Sequence, residues 1–223
     1  MSGLHPGAAG RTARIDAVLA RAPVLPVLAI ESLEHAVPLA RALVEGGLPV
    51  LEVTLRTGVA LQAISAIRRH VPDALVGAGT VLDPDGLRKV EQAGAAFAIS
   101  PGATVALYDA AGQSGIPWIP AIATAGELME GLERGYQRFK FFPAEAAGGS
   151  LALQAFAGPF PQVRFCPTGG IDARSAPRYL GLGNVATVGG SWMVPADRVQ
   201  AGDWPAITAL ARQAAALASP PRR

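Results

Sequence analysis

Apolar residues along the chain follow two alternating rhythms. Short continuous runs rich in Val, Leu, Ile, Phe and Ala occupy residues 24–30, 50–55, 74–80, 97–100, 117–122, 138–142, 163–166 and 185–188. Runs of that length, with few polar interruptions, are expected of strands buried on both faces. Between them apolar residues recur at helical spacing, as Leu61, Ile64 and Ile67 do over residues 60–70. The same spacing predicts helices over residues 84–93, 104–114, 125–134, 150–156, 173–180 and 204–218. A further helix starts at Ser32, a residue suited to an N-cap, and ends at Gly46-Gly47. Pro84 and Gly94 bracket another. Ahead of the first strand, residues 14–21 form a short amphipathic helix with Ile15, Val18 and Leu19 on one face, placed to cap one end of the fold.

Eight strand-then-helix units with short connections imply a parallel sheet, and eight of them imply a closed barrel. The expectation is therefore an α/β fold: a single (β/α)8 TIM barrel domain over residues 14–218 with a short extra N-terminal helix. A doubly wound open sheet is the competing architecture. Residues 1–13 are expected to form a disordered tail and residues 219–223 a frayed C-terminus.

Composition narrows the function. Half of the 223 residues are hydrophobic and 16% are charged, enough for a large core and against global disorder. The net charge of +2 comes without a run of basic residues, so nucleic acid is not expected as a partner. No apolar stretch reaches bilayer-spanning length and the start lacks a charged-then-apolar signal, so no membrane partner and a cytoplasmic location are expected. The single Cys166 rules out an intrachain disulfide framework and a Cys-rich zinc site. His5, His35 and His70 show no metal-ligand spacing, so no metal site is expected.

One polar residue breaks the pattern most sharply. Lys140 stands in the middle of the run Arg138-Phe139-Lys140-Phe141-Phe142. The chain has 17 arginines and only two lysines, Lys89 and Lys140, so lysine is kept at the apolar site while arginine serves almost everywhere else. Arginine stays protonated in proteins, whereas a desolvated lysine can shed its proton and attack a carbonyl to form a Schiff base. The competing reading is a stem that snorkels from a strand end.

In a barrel the active site lies at the C-terminal ends of the strands, and informative residues fall there repeatedly. Glu52 and Thr54 share one face of the second strand by its period of two, and Arg56 follows just past its end. An interior glutamate suits proton shuttling, or else an internal ion pair with Lys140 or Arg56. Arg56 suits a bidentate clamp on a carboxylate, or is a solvated loop arginine. The third strand ends Gly77-Ala78-Gly79-Thr80, small residues that admit a ligand to the backbone. The last two strands end in Thr168-Gly169-Gly170 and Gly189-Gly190-Ser191, a pair of glycine loops where this fold usually holds a phosphate; the alternative is tight turns without a ligand.

Five ordered motifs, residues 51–57, 77–81, 139–145, 164–170 and 189–192, together resemble the KDPG/KHG family of class I aldolases, which act on 2-dehydro-3-deoxy-phosphogluconate (KDPG) or 4-hydroxy-2-oxoglutarate (KHG). The likeness runs over residues 15–215. It implies a metal-free, cofactor-free aldehyde-lyase of the Entner–Doudoroff pathway with a small-molecule substrate, a TIM barrel, and usually a homotrimer. By family pattern Lys140 forms the Schiff base and Glu52 shuttles protons, while Arg56 and Thr80 hold the pyruvate carboxylate. Gly169, Gly170, Gly190 and Ser191 surround the phosphate, and Thr168 occupies the position linked to stereochemical choice. One departure is visible: Pro120-Ala121-Ile122-Ala123-Thr124 stands where the family often has Pro-Gly-Ile. The expected reaction is cleavage of the phosphorylated gluconate form. The rivals are 4-hydroxy-2-oxoglutarate, the galactonate epimer, and a non-catalytic phosphate-binding barrel.

Overall fold

The computed structural model describes residues 8–217. Its strands are β1 (Val24–Leu28), β2 (Val50–Thr54), β3 (Leu75–Gly79), β4 (Ala98–Ile99), β5 (Trp118–Ile119), β6 (Ala121–Ile122), β7 (Arg138–Phe141), β8 (Arg164–Pro167) and β9 (Val188–Gly190). The helices that alternate with them are α1 (Ala8–Leu19), α2 (Leu33–Glu45), α3 (Ala60–His70), α4 (Pro84–Gln92), α5 (Val105–Gln113), α6 (Ala125–Glu133), α7 (Gly149–Ala157), α8 (Ala176–Leu180), α9 (Ala196–Gln200) and α10 (Trp204–Ala215). The strands that pair do so in parallel, in a six-stranded sheet ordered β5-β4-β3-β2-β1-β9 and a three-stranded sheet ordered β6-β7-β8. The result is an α/β fold whose parallel strands form a half-barrel.

The expected fifth strand, residues 117–122, is divided into β5 and β6 at Pro120. Proline has no N–H to give to a ladder. Its carbonyl still accepts from Lys140 N at 2.9 Å. The two halves face different neighbours: β5 pairs with β4, and β6 pairs with β7. Isolated parallel bridges join Phe165 to Val185 and Thr168 to Gly189, linking β8 to the approach to β9.

Alternation along β7 decides where Lys140 points. Phe139 and Phe141 are fully buried on the helix side, Phe139 against Gly131 of α6 and Phe141 against the ring of Phe156 on α7. Lys140 between them must face the other way. In β2 the same rule sends Leu51 and Val53 to one side and Glu52 and Thr54 to the other.

Several boundaries differ from the sequence-based expectation. α1 starts at Ala8, so residues 8–13 are helical and do not belong to a tail. The Arg11 guanidinium lies 4.4 Å from the centre of the Tyr136 ring and donates to Arg134 O at 3.0 Å, which docks that extra length. Asp16 takes both edges of the Arg138 guanidinium, at 2.5 and 2.8 Å, and fixes α1 at the N-terminal end of β7. Residues 1–7 of the expected tail and the expected frayed segment 219–223 lie outside the described residues. Ser32 occupies the N-cap position of α2, but its side chain makes no cap bond. The short α9 carries no apolar stripe that would have announced it, and none of its residues is buried. The last strand is Val188–Gly190, not residues 185–188: Val24, Leu25 and Pro26 of β1 pair with Val188, Gly189 and Gly190. Among the described residues no helix is long and apolar enough to cross a membrane.

Candidate active site

Lys140 and Glu52 meet. Nζ donates to Glu52 Oε1 at 2.9 Å, with only 7% and 1% of the two side chains exposed. β7 and β2 belong to different sheets, so the contact requires both strands to turn these residues toward one another. Taking both charges out of water is unfavourable, and their pairing offsets that cost only while both remain. Lys140 is set between Ala121 and Cys166 by strand register. The Phe142 ring lies with its centre 5.4 Å from Nζ, within cation–π range. Burial pushes the Cys166 thiol up to about 12, so it stays protonated beside the lysine. Glu52 Oε2 is buried with no protein partner among the described residues. By contrast Lys89 pairs with Asp85 on an exposed face of α4, at 2.6 Å.

The small residues of the third strand make room for neighbouring side chains. A Cβ on Gly77 would come within 2.5 Å of the Phe97 ring, and one on Gly79 would collide with the Glu52 carboxylate. Register places Gly77 beside Glu52 and Gly79 beside Thr54. Gly79 therefore creates the slot in which the carboxylate reaches Lys140.

Thr54 links the strand to Arg56. Its hydroxyl donates to Leu28 O at 2.9 Å and accepts from Arg56 Nε at 3.0 Å. Thr57 Oγ1 donates to Ile30 O at 2.7 Å and pins the same turn to the end of β1. Arg56 is exposed, and its two terminal nitrogens have no protein partner among the described residues. Thr80 has φ of 60°, the one non-glycine residue at positive φ among the described residues. That conformation is costly for a β-branched residue and tends to persist where function requires it.

Beyond β8, Gly169 and Gly170 have φ of 106° and 77°, the left-handed region that favours glycine. Their N–H groups donate to no protein acceptor among the described residues. Gly189 and Gly190, read from sequence as a loop, are ladder residues of β9. Their missing side chains leave space for Thr168 and the Trp192 ring, respectively. Thr168 is buried, with Oγ1 3.9 Å from Cys166 Sγ, so it stands between the strand beside Lys140 and the glycine turn. Ser191 is exposed at the end of β9. The turn after β7 is strapped onto the turn after β8 by Ala144 N to Thr168 O at 2.8 Å and Glu145 N to Gly169 O at 3.1 Å.

Sequence reasoning missed the tether from Thr54 to Arg56, the Phe142 ring beside Nζ, and the Gly79 slot. The period of two carries a signal for the first two, since Thr54 and Arg56, and Lys140 and Phe142, are each two apart. No local signal exists for the third. Two surface grooves, of about 360 and 410 Å³, lie on α3 and between α2 and α10, away from Lys140. Among the described residues no three His, Cys, Asp or Glu side chains gather as a metal-ligand set.

Known proteins resemble this chain closely. The KDPG and KHG aldolase family matches residues 15–210. The KHG/KDPG aldolase of Escherichia coli (strain K12) is 58% identical over 199 residues, 89% of this chain and 93% of that protein. The crystal structure of KDPG aldolase from Legionella pneumophila, with pyruvate captured at low pH as a covalent carbinolamine intermediate, superposes with a TM-score of 0.89 at 53% identity, covering 90% of this chain and 98% of that one. The 2-keto-3-deoxy-6-phosphogluconate aldolase of Zymomonas mobilis ZM4 with 3-phosphoglycerate superposes with a TM-score of 0.89 at 50% identity, covering 94% and 98%.

Proposed function

The chain belongs to the KDPG and KHG aldolase family, and from that premise we propose that it reversibly cleaves 2-keto-3-deoxy-6-phosphogluconate to pyruvate and glyceraldehyde 3-phosphate through a Schiff base on Lys140. The observation that carries this reading is the buried contact of 2.9 Å between Lys140 Nζ and Glu52 Oε1. It places the nucleophile within direct reach of a carboxylate that can take its proton. The neutral amine attacks C2 of the substrate to form a carbinolamine, and loss of water leaves a protonated imine. A base removes the C4 hydroxyl proton as the C3–C4 bond breaks. The bonding pair moves to the imine nitrogen, giving an enamine and releasing glyceraldehyde 3-phosphate. Protonation at C3 and hydrolysis return pyruvate and the free amine. Glu52 moves these protons directly or through water, with Oε2 unengaged among the described residues and available for the purpose. The carbinolamine of the Legionella relative supports the first step.

Arg56 and Thr80 are assigned to the carboxylate. The free terminal nitrogens of the tethered Arg56 support the bidentate clamp. Gly169, Gly170, Gly190 and Ser191 are assigned to the phosphate, supported by the free N–H groups of Gly169 and Gly170. Thr168, between Cys166 and Gly189, is assigned to stereochemical choice at C4. The double name of the Escherichia coli relative favours 4-hydroxy-2-oxoglutarate as a second substrate.

The finer architecture is part of the same reading: the described residues form one domain, and the two sheets are parts of one closed (β/α)8 barrel. The divided fifth strand and the bridge from Thr168 to Gly189 support closure at the two seams. The enzyme is read as cytoplasmic, acting in the Entner–Doudoroff pathway without metal or cofactor. It is read as a homotrimer, and the exposed Leu82, Val105, Met129 and Leu151 support surface for another copy to cover. Sedimentation should give a trimeric mass; a monomer at micromolar concentration would overturn that assignment.

Borohydride reduction with pyruvate tests the chemistry. One adduct is expected, at Lys140, and Lys140→Arg should abolish both adduct and turnover while keeping the fold. An adduct at Lys89, or none on the folded protein, would sink the mechanism.

A further inference from the structure

Glu145 has no part in the reaction above, yet it ties three pieces of chain together. Its Oε1 accepts from Tyr179 OH at 2.7 Å and from Arg178 Nη2 at 3.0 Å, both on α8. Its backbone N–H donates to Gly169 O at 3.1 Å. Its stem fills the place a side chain on Gly170 would take, since a Cβ there would lie 2.9 Å from both Cβ and Cγ of Glu145. Glu145 follows Lys140 closely along the same segment, in the turn after β7.

Two donors on one oxygen, one of them charged, hold the rotamer of Glu145. The held stem then limits where the Gly169–Gly170 turn can lie. Burial, followed by the bond to Glu145, pushes the Tyr179 phenol up to about 12, so it remains a donor throughout the neutral range. Arg178 balances the carboxylate, which would otherwise place a bare negative charge beside a turn meant for an anion.

We propose that Glu145 is the positioning residue of the Gly169–Gly170 turn and sets the aim of its free N–H groups on the phosphate end of the substrate. The proposal rests on the assignment of that turn to the phosphate. Glu145 acts through the turn and touches neither the reacting carbons nor Lys140.

The test measures kcat and KM for Glu145→Ala and Glu145→Gln on 2-keto-3-deoxy-6-phosphogluconate and on 4-hydroxy-2-oxoglutarate, with Ser191→Ala in parallel. Glu145→Ala is expected to raise KM for the phosphorylated substrate about tenfold, with a much smaller change for the other. Glu145→Gln should recover most of the loss, because its amide oxygen still accepts from Tyr179 and Arg178. Equal losses on both substrates, or no change in KM, overturn the proposal; if Ser191→Ala remains selective for the phosphorylated substrate, the phosphate assignment still stands. Equal losses from Ser191→Ala would remove the phosphate site and the role of Glu145 with it. If Glu145→Ala does not fold, Tyr179→Phe decides, since it deletes only the hydroxyl. A rise in KM confined to the phosphorylated substrate supports the proposal, and its absence overturns it.

Discussion

Gly79 shows how much a missing atom can contribute. Its hydrogen leaves the volume that the Glu52 carboxylate occupies on its way to Lys140. In Gly79→Ala the added methyl should push the carboxylate off Nζ. Overpacking of this kind costs about 1–3 kcal/mol of stability. Displacing a proton-transfer group by about an ångström can cost roughly a hundredfold in rate. The expected result is a folded protein with kcat reduced by that order, measured together with thermal unfolding. A variant that unfolds a little more easily but turns over normally would mean that Glu52 does not need this position. Lys140 itself was legible from its strand because an ammonium group stands out in an apolar run. The function of Gly79 was not, because a glycine at a strand end looks the same whether it admits a ligand or a neighbouring carboxylate.

At the scale of elements, local chemistry closes some helices and tertiary contacts close others. α6 has a full capping box: Thr124 Oγ1 accepts from Glu127 N at 3.3 Å, and Glu127 Oε2 accepts from Thr124 N at 2.9 Å and from Ala123 N at 2.7 Å. Thr124→Ala should lower stability by about 1 kcal/mol, read from denaturant unfolding. A change below experimental error would show that packing alone holds the start of α6. Partial burial opposes the charge of Glu127, but the bonds from Ala123, Thr124 and the Thr124 hydroxyl outweigh it and hold its carboxyl below the usual 4.5. A depressed acid stabilises the fold above its unfolded value and loses that contribution as pH falls through the folded one. The share due to Glu127 should therefore fade on the acid side of 4.5, and Glu127→Gln should remove that fading. β9 is the opposite case. The apolar residues before it suggested a strand over 185–188, but pairing with β1 starts only at Val188 and runs through two glycines. Thr168 and Trp192 occupy the room those glycines leave, and no propensity scale records that.

Across the whole molecule the residues assigned to the substrate's two anionic ends follow different strands. Arg56 follows β2, whereas Gly169, Gly170 and Ser191 follow β8 and β9, with β1 between β2 and β9. This order suits an acid with its carboxylate at one end, a carbonyl near Lys140 and a phosphate at the other end. Ser191→Ala removes one hydrogen bond to a charged group, about 1.5–3 kcal/mol or roughly ten- to a hundredfold in kcat/KM. The loss should appear with the phosphorylated substrate and nearly vanish with 4-hydroxy-2-oxoglutarate. Arg56→Ala should impair both, since both carry the 2-oxo acid carboxylate. Kinetics of both variants on both substrates decide the division; equal damage from Ser191→Ala would assign Ser191 to folding.

The amino-acid sequence by itself determined the alternation of buried strands and amphipathic helices, hence the parallel α/β class. It also marked Lys140 and Glu52, because a strand buried on both faces tolerates almost no charge and any charged residue within one is conspicuous. Tertiary structure alone decided that these two groups meet, although they stand 88 residues apart on strands of different sheets. It also decided that Gly79 leaves room for the Glu52 carboxylate, that Pro120 divides the fifth strand between two neighbours, and that the Glu145 stem packs against Gly170. The reason is physical. Burial periodicity is written into consecutive residues, whereas contacts between the two sheets depend on strand register and sheet curvature, which arise only when distant segments pack together.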